Sequence, residues 1–479
     1  MSRFCICALA AVLIALAPAL SLEAQTKTSL FLVKPYVQLG NNPAHSNKLE
    51  ILWFSQKKSG FKLYFRQANS DADSKWRQSE SIKITLQPTS QMKPYYRYAG
   101  SIESTGPGQP IEYRVDFADK TLFKKVVTSR KSKEQSYTFA LAGDVGAGSF
   151  GQKGNTFQIH KLKPNLYLIP GDISYNRGKV EDYLLRFFPF LNAENAAANR
   201  GAPLLAETIT ATAIGNHDIA LTNQWTGVDF TSYPDALGYY RFWSQPLNGP
   251  KRRVNERNTT IIRGNARAQL NFVKATGERF PRMANYSFDF GNSHWLVIDA
   301  NPYMNWADPK MRDWVEKDLR STKAAWKFVL CHQPGFSIDN NHWVEQRMRL
   351  LSQIFEQCGV DIVFSGHAHT YQRSYPLKFT PKETENANAN GTVSGDFILD
   401  KAFDGDKVTR PQGVLYIVSG AGGASLYRKG LLPASETLFN FKFLNQKHSF
   451  TFCKVEDDNI ELCQIACDGE EIDRIRITK

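Results

Sequence analysis

LYLIPGDISY, at positions 166–175, is an apolar run of strand length that leads directly into glycine and aspartate. Glycine permits the sharp backbone turn that ends a buried strand. In open α/β sheets, ligands bind beyond the carboxyl ends of the strands. The stretch therefore predicts a strand that presents Asp172 at a ligand-binding edge of a sheet.

The same pattern recurs four more times along the chain. Apolar runs lead into Gly-Asp-Val-Gly at 143–146, Gly-Asn-His-Asp at 215–218, His-Gln-Pro at 332–334 and Gly-His-Ala-His at 366–369. Each motif alone is weak, because Gly-Asp pairs are ordinary turns and a lone histidine is more often a core residue. Five motifs in succession, each after a strand, predict one shared site.

These strand ends supply carboxylate, amide and imidazole donors without thiolate. Such a donor set suits iron, manganese or zinc. A carboxylate between two cations can bridge them, and two ions about 3.5–4 Å apart form a clamp for phosphoryl hydrolysis. The pattern therefore predicts a site for two metal ions.

The motifs closely resemble those of the metallophosphoesterase superfamily, and within it the purple acid phosphatase branch. The discriminating residue is Tyr175 in Gly-Asp-x-x-Tyr, which in that branch is a phenolate ligand of ferric iron. The branch's extension Gly-His-x-His-x-Tyr-x-Arg is present at 366–373. The resemblance covers almost the whole mature chain. It implies an α/β fold, the αββα metallophosphoesterase sandwich, preceded by an all-β fibronectin-like sandwich domain.

The resemblance also implies a role for each motif residue. The ferric ion would be held by Asp144, Asp172, Tyr175 and His369. A divalent ion (iron, zinc or manganese) would be held by Asp172, Asn216, His332 and His367, with Asp172 bridging the two. His217 and His342 are the implied catalytic and substrate-binding residues, since both would contact phosphate and His342 could protonate the leaving group.

The chain departs from the family pattern at two positions. Plant-like members often have paired histidines where this chain has Asn341-His342. This change leaves the leaving-group preference and the pH optimum open, but not the reaction class. Gln372 stands where many relatives have glutamate. The histidines outside the motifs are interpreted as structural: His45, His160, His294 and His448.

The sequence changes character near residue 135. Before it, short alternating apolar runs broken by Gly, Pro, Asn and Ser predict an antiparallel β-sandwich. After it, apolar strands alternate with helical stretches, as in α/β proteins. With 479 residues the chain is too long for one core. We expect a signal peptide at 1–24, an N-terminal β-sandwich at 25–135 and a metallophosphoesterase catalytic domain at 136–479.

The first 24 residues match a secretory signal peptide. Arg3 precedes an apolar run to about Leu20, and small residues follow at Ser21 and Ala24. A membrane anchor is the alternative, and no later segment is long and apolar enough to span a bilayer. We therefore expect a secreted or periplasmic protein. In such an oxidising compartment a disulfide could form among the cysteines Cys453, Cys463 and Cys467.

The net charge of +13 favours anionic partners, although no nucleic-acid recognition motif is present. The segment 219–285 is long for a connection between strands and contains Tyr239-Tyr240-Arg241-Phe242-Trp243. It also contains six basic residues: Lys251, Arg252, Arg253, Arg257, Arg263 and Arg267. Two interpretations are equally open, a rim or lid that selects anionic substrates and a solvated surface insertion.

The predicted activity is that of an acid phosphatase that cleaves monoesters of phosphorylated small molecules. A metal-bound hydroxide would attack phosphorus in line while both cations neutralise the equatorial oxygens. The alternative is a phosphodiesterase or nucleotide pyrophosphatase on the same scaffold. A non-catalytic secreted binding protein ranks below both, because every expected metal ligand is present. The natural substrate and the oligomeric state stay open.

Overall fold

The N-terminal part of the chain forms two β-sheets that pack face to face. The structure is a computed structural model that describes residues 30–43, 47–68, 75–89, 92–219, 221–223, 227–251, 262–383, 391–427 and 438–479. The N-terminal strands are β1 (Val33–Gln38), β2 (Lys48–Ser55), β3 (Lys62–Gln67), β4 (Arg77–Gln78), β5 (Ile82–Gln87), β6 (Tyr95–Glu103), β7 (Pro110–Phe117) and β8 (Lys120–Thr128). The orders β1-β2-β6-β5 and β4-β3-β7-β8 form the two layers. Trp53, Leu63 and Tyr98 belong to the apolar core between them.

The strands that follow form the C-terminal part of the chain. They are β9 (Tyr137–Leu141), β10 (Leu166–Pro170), β11 (Ile209–Ala213), β12 (Leu221–Asn223), β13 (Gly227–Asp229), β14 (Ile262–Arg263), β15 (Tyr286–Phe290), β16 (Ser293–Val297), β17 (Trp326–Leu330), β18 (Ile362–Ser365), β19 (Tyr371–Ser374), β20 (Leu377–Pro381), β21 (Gly395–Leu399), β22 (Leu415–Ser419), β23 (Asn440–Leu444), β24 (Ser449–Val455), β25 (Asn459–Ala466) and β26 (Glu471–Thr478). All five predicted motif strands are present, as β9, β10, β11, β17 and β18.

The helices connect these strands. They are α1 (Phe150–Leu162), α2 (Val180–Arg186), α3 (Phe188–Leu191), α4 (Leu204–Glu207), α5 (Gly238–Phe242), α6 (Ala266–Thr276), α7 (Pro309–Ser321) and α8 (Ser352–Gln357). Short 3-10 helices lie at His217–Ile219, Gly277–Arg279, Arg282–Ala284 and Arg347–Leu351. Among the described residues, no helix has the length and apolar character that crossing a membrane requires. The predicted signal peptide lies outside the described residues and stays a prediction.

Two mixed sheets face each other in this C-terminal part. One has the order β15-β16-β17-β18-β22-β19-β23, and the other contains β26-β25-β24-β9-β10-β11. β9, β10 and β11 run parallel, as do β16, β17, β18 and β22. Phe139 of β9 contacts three aromatic rings of the facing sheet, Trp295, Phe328 and Phe364, with centroids 5.0–5.9 Å apart. This aromatic core fixes the two sheets against each other, so their carboxyl ends meet at one edge.

One sheet runs through both parts of the chain. β1 pairs in parallel with β11 at Gln38 and Thr210, so the sheet that contains β9, β10 and β11 continues as β1-β2-β6-β5. The alternating pattern predicts both strand sets, but nothing in it indicates this junction. The division near residue 135 therefore stays a prediction about domains.

The aromatic run in the 219–285 segment is neither an exposed rim nor a solvated surface, in contrast to both interpretations. Residues 239–243 lie in and just after α5 and are all buried. Tyr36 Oη donates to the Phe242 carbonyl over 2.5 Å, and Arg97 Nε donates to the Arg241 carbonyl over 3.1 Å. The run packs against the N-terminal sheet because burying large aromatic rings is strongly favourable. Of the six basic residues, Lys251 and Arg267 are exposed, and the other four side chains lie outside the described residues.

The cysteine pair considered from the sequence does not form. All five cysteines among the described residues are free, including Cys453, Cys463 and Cys467. Cys453 on β24 stands opposite Leu462, whereas Cys463 on β25 stands opposite Phe452. Since neighbouring residues of a strand point to opposite faces, the side chains of Cys453 and Cys463 lie on different sides of the sheet.

Candidate metal centre

The predicted site residues converge where the parallel strands end. They are Asp144 after β9, Asp172 and Tyr175 after β10, Asn216 and His217 after β11, His332 after β17, and His367 and His369 after β18. Asp144, Asp172 and His367 have positive φ angles of 59°, 50° and 68°. Such conformations cost about 1–3 kcal/mol each and cluster at functional sites. A Cβ at Gly215 would lie 2.2 Å from the Asp172 amide nitrogen, so only glycine fits there.

One group of donor atoms surrounds the Tyr175 hydroxyl. This hydroxyl donates to Asp144 Oδ1 over 3.1 Å and lies 3.0 Å from His369 Nε2. His369 Nε2 is also 3.4 Å from Asp144 Oδ1. The opposite ring nitrogen, Nδ1, donates to the Ser425 carbonyl over 2.7 Å. That bond leaves the Nε2 lone pair directed at Asp144 and Tyr175.

The second group surrounds His332. Its Nδ1 donates to the Pro170 carbonyl over 2.7 Å, which directs Nε2 into the site. Nε2 then lies 3.2 Å from Asp172 Oδ1 and 3.0 Å from Asn216 Oδ1. His367 Nδ1 is 3.2 Å from the same Nε2 atom. Three kinds of donor (carboxylate, amide and imidazole) therefore face one point.

The charges of these groups depend on one another. Burial opposes the charged form of His332, but Asp172 outweighs it and raises the pKa of His332 to about 10. Burial also opposes ionisation of Asp172, but His332 and His217 outweigh it and hold the pKa of Asp172 below its usual range. Burial, followed by Asp144, raises the pKa of Tyr175 well above its usual value. A phenolate at Tyr175 therefore requires a nearby cation.

The donor set fits metal ions. His332 and His369 each donate the Nδ1 proton to a backbone carbonyl. Nε2 of the neutral ring is then an acceptor, and it faces other acceptor atoms. A proton or a cation between these atoms relieves the repulsion. The facing atoms of Asp172, His332 and His367 all lie within 4.8 Å of one another, as a metal-binding group requires. Oxygen and nitrogen donors without sulfur suit iron, zinc or manganese.

His217 lies at the rim of the cluster. Its backbone N–H donates to Asp172 Oδ1 over 2.9 Å, and its Nδ1 contacts the Asn176 carbonyl at 2.7 Å. Nε2 is 3.9 Å from Asp172 Oδ2, and the side chain is 28% exposed. His217 therefore presents one ring nitrogen at the boundary between the cluster and solvent.

His342 lies beside the second group. Its ring centroid is 3.9 Å from that of His367. Nδ1 is 2.9 Å from Glu345 Oε1, and Nε2 is 3.0 Å from the Tyr427 hydroxyl. The structure thus brings all nine predicted residues, His342 included, into one neighbourhood.

Two residues of this neighbourhood, Glu345 and Tyr427, do not appear among the sequence predictions. The Tyr427 ring stacks on His369 with centroids 4.2 Å apart, and its hydroxyl contacts His342. Its loop follows β22 as Gly420-Ala421-Gly422-Gly423, a sixth apolar run that leads into glycine. That pattern is the signal that could have found it. For Glu345, the signal is its spacing of three residues from His342.

Gln372 supports the loop that carries His342. Its Oε1 accepts from the Ile338 amide over 2.9 Å, and its Nε2 donates to Ser337 Oγ over 3.0 Å. Asp339, in the same loop, accepts from the His342 amide over 3.2 Å. A glutamate at 372 has no N–H to donate, so the glutamine fits this particular loop.

Comparisons with known proteins agree with this geometry. Residues 137–371 match the family model of the calcineurin-like phosphoesterases. Purple acid phosphatase 21 of Arabidopsis thaliana is 27% identical over 245 residues, which are 50% of this chain and 45% of that protein. Fe(3+)-Zn(2+) purple acid phosphatase 12 of Arabidopsis thaliana is 32% identical over 106 residues, 21% of this chain and 22% of that protein. The chain thus matches less than half the length of either relative.

A solved structure shares the fold. Purple acid phosphatase PPD1 from yellow lupin seeds (Lupinus luteus) aligns with a TM-score of 0.65 at 14% identity, covering 93% of this chain and 74% of that one. The predicted fold class, an αββα catalytic part preceded by an all-β part, is confirmed. Residues 137–371 are therefore a calcineurin-like phosphoesterase domain, and the chain is a homologue of the purple acid phosphatases.

Proposed function

We propose that the protein is a phosphatase that hydrolyses phosphate monoesters at a site for two metal ions. The observation that supports this most directly is the pair of adjoining donor groups, one around Tyr175 and one around His332. Each group directs more acceptor atoms at a single point than the protons of its side chains can satisfy. Names of relatives, among them acid phosphatase and phosphoenolpyruvate phosphatase, also favour phosphate release.

The two donor groups suit ions of different charge. Asp144, Asp172, Tyr175 and His369 offer two carboxylates and a phenol, which favour ferric iron. Asp172, Asn216, His332 and His367 offer one carboxylate and neutral donors, which favour a divalent ion. One relative carries Fe(3+) and Zn(2+) in its name. We propose the same ferric site here, with iron, zinc or manganese as the divalent ion.

Two cations in such a site lower the pKa of water and neutralise charge on the phosphoryl oxygens. The chain's own residues orient the substrate. His217 donates from Nδ1 to the Asn176 carbonyl and presents Nε2 at the rim, where the imidazolium form of the ring can donate to a phosphate oxygen. His342 holds Nδ1 against Glu345, so its Nε2 is the nitrogen that can reach the leaving-group oxygen. The phosphate would therefore lie between the two histidines.

Metal analysis combined with a visible spectrum of the purified protein tests the proposed centre. We expect two metal ions per chain and a violet phenolate-to-iron band. Tyr175→Phe should remove the band, because no phenolate then contacts the ferric ion. Tyr183→Phe is the matched control, since Tyr183 is also buried near the site but its hydroxyl donates to Asp218. A band that survives in Tyr175→Phe, or that disappears equally in both variants, would contradict the assignment.

Turnover of monoesters and diesters with the same leaving group separates the proposed activity from its alternative. We expect the larger kcat/KM for p-nitrophenyl phosphate than for bis(p-nitrophenyl) phosphate. The opposite order would favour a phosphodiesterase on the same metal centre. A protein that binds metal but cleaves neither ester would be a binding protein instead.

A further inference from the structure

We propose that Glu345 is a positioning residue that sets the orientation of His342 and His367 together. The proposal rests on the proposed function, in which His367 binds the divalent ion and His342 contacts phosphate. One carboxylate would then couple metal binding to substrate binding.

The geometry places both rings on a single carboxylate. Glu345 Oε1 is 2.9 Å from His342 Nδ1, and Oε2 is 3.1 Å from His367 Nε2. The two rings are tilted by 50° with centroids 3.9 Å apart. Glu345 is only 4% exposed, so water does not compete strongly for these contacts.

The Glu345 carboxylate determines which nitrogen of each ring carries a proton towards it and which nitrogen faces away from it. An ionised carboxylate only accepts, so His342 Nδ1 and His367 Nε2 both carry their proton towards Glu345. His367 is left with its Nδ1 lone pair, which faces His332 Nε2 at 3.2 Å. His342 is left with Nε2, which faces the pocket beside Tyr427. The directions of His342 Nε2 and His367 Nδ1 therefore depend on the same acceptor, the Glu345 carboxylate.

His367 differs in this respect from the other two candidate ligand histidines. His332 and His369 are oriented by the backbone carbonyls of Pro170 and Ser425, each at 2.7 Å. His367 instead bonds to a side chain, and that side chain is shared with the substrate pocket. Partners of this kind typically change metal affinity about 10–100-fold when they are mutated.

The segment that carries Glu345 is itself held in place. The Glu345 amide donates to the His342 carbonyl over 2.9 Å, and the Gln346 amide donates to the Gly391 carbonyl over 3.0 Å. Gln346 Oε1 accepts from the Val393 amide over 3.0 Å. These bonds fix the backbone from which the carboxylate reaches both rings.

Glu345→Gln tests the coupling, because the amide keeps one acceptor but turns an N–H towards the other ring. We expect the zinc dissociation constant of the chelator-treated protein to rise by about tenfold or more. At saturating zinc, we also expect the inhibition constant of inorganic phosphate to rise several-fold. His342→Asn should raise the phosphate constant more than the zinc constant, since it removes a ring that contacts His367 but keeps the bond between Glu345 and His367. Unchanged zinc and phosphate constants in Glu345→Gln would overturn the proposal.

Asp339→Asn is the matched control for loosening of the loop. Asp339 accepts from the amides of Asn341 and His342 but contacts neither ring. It should leave the zinc constant unchanged, and a rise equal to that of Glu345→Gln would refute a specific role for Glu345. If Glu345→Gln does not fold, Glu345→Asp keeps the charge but is too short to reach both rings. It should then raise at least one of the two constants, and no change would count against the proposal.

Failure of the proposed function gives a different result. A wild-type protein that binds no divalent ion, or that does not release phosphate from monoesters, would refute the phosphatase assignment whatever the variants do. Normal wild-type zinc binding and turnover, with Glu345→Gln equal to wild type, would refute only the positioning role.

Discussion

His294 and His332 are both buried histidines in contact with carboxylates, but their surroundings differ in one respect. His294 Nδ1 is 2.7 Å from Asp289 Oδ1, and Nε2 is 2.9 Å from Asp318 Oδ2, so each ring nitrogen has its own acceptor. His332 Nε2 faces Asp172, Asn216 and His367 together, which is more acceptors than one proton can serve. A surplus of converging acceptors, rather than contact between histidine and carboxylate, distinguishes a candidate metal site.

The two histidines also differ in their place on the strand. His294 lies within β16, whereas His332 is the second residue after β17. The side chain of His294 meets neighbours in its own sheet and helix layer, Asp289 of β15 and Asp318 of α7. A side chain beyond the strand end meets those of both sheets, and so gathers donors from several loops. Position relative to the strand end therefore separates the two roles before any side chain is placed.

The largest loss of activity is expected from removing one of the acceptors that surround His332. Asp172→Ala should lower kcat for a phosphate monoester by more than about a hundredfold, the upper end of what partners outside the ligand shell cost. It should also lower metal content, because both donor groups lose their shared carboxylate. Asp318→Ala removes an acceptor from His294 and should leave kcat unchanged. Full turnover with retained metal in Asp172→Ala would contradict the site assignment.

A smaller effect is expected from removing a hydroxyl that contacts a substrate-pocket histidine. Tyr427→Phe keeps the ring that stacks on His369 but deletes the hydroxyl 3.0 Å from His342 Nε2. We expect kcat to fall less than about tenfold, since one neutral hydrogen bond contributes about 0.5–1.5 kcal/mol. Metal content, measured by elemental analysis, should not change. A loss of metal would show that the converging acceptor atoms do not hold the ions without the Tyr427 hydroxyl.

The alternation of apolar strands with helical stretches predicted an α/β fold, and the family resemblance implied its αββα form. The strand-end pattern predicted that Asp144, Asp172 and His332 would lie close together. It could do so because parallel strands bring their carboxyl ends to one edge, whatever the loops do. Glu345 and Tyr427 enter through loops whose placement depends on distant partners, such as the bond from the Gly422 amide to the Gly143 carbonyl. The local signals, a sixth apolar run that leads into glycine and the spacing of Glu345 from His342, do not indicate which distant partners each loop contacts.

The 219–285 segment shows the opposite limit of sequence interpretation. Its aromatic and basic residues were open to two interpretations, a rim or lid that selects anionic substrates and a solvated surface insertion, because the same composition suits both. The structure buries Phe242 against the N-terminal part, where Phe54 contacts it with centroids 4.9 Å apart. Tyr239 and Trp243 are buried against later residues, the Thr212 carbonyl and the Phe187 ring. The burial of Phe242 depends on residues of the N-terminal sheet, such as Phe54, which the sequence of the segment itself cannot reveal.

Substitution of His294 is expected to have the smallest effect on catalysis and a pH-dependent effect on the free energy of unfolding. Burial lowers its pKa, but hydrogen bonds to Asp289 and Asp318 outweigh that and raise it to about 9. The unfolded value is about 6.5, so the folded state binds the proton more tightly and gains stability that is fully present below about pH 6.5. This contribution, about 3 kcal/mol from the size of the shift, is lost as the pH rises through about 9.

His294→Gln should therefore lower the midpoint of denaturant-induced unfolding clearly at pH 6 and much less at pH 10. Its kcat/KM for a phosphate monoester should equal that of the wild type, because both ring nitrogens serve carboxylates away from the cluster. Equal destabilisation at both pH values would mean that His294 acts by packing rather than by charge. A large loss of activity in the folded variant would mean that a histidine whose two nitrogens each have their own acceptor also supports the site. The proposed difference between His294 and His332 would then be wrong.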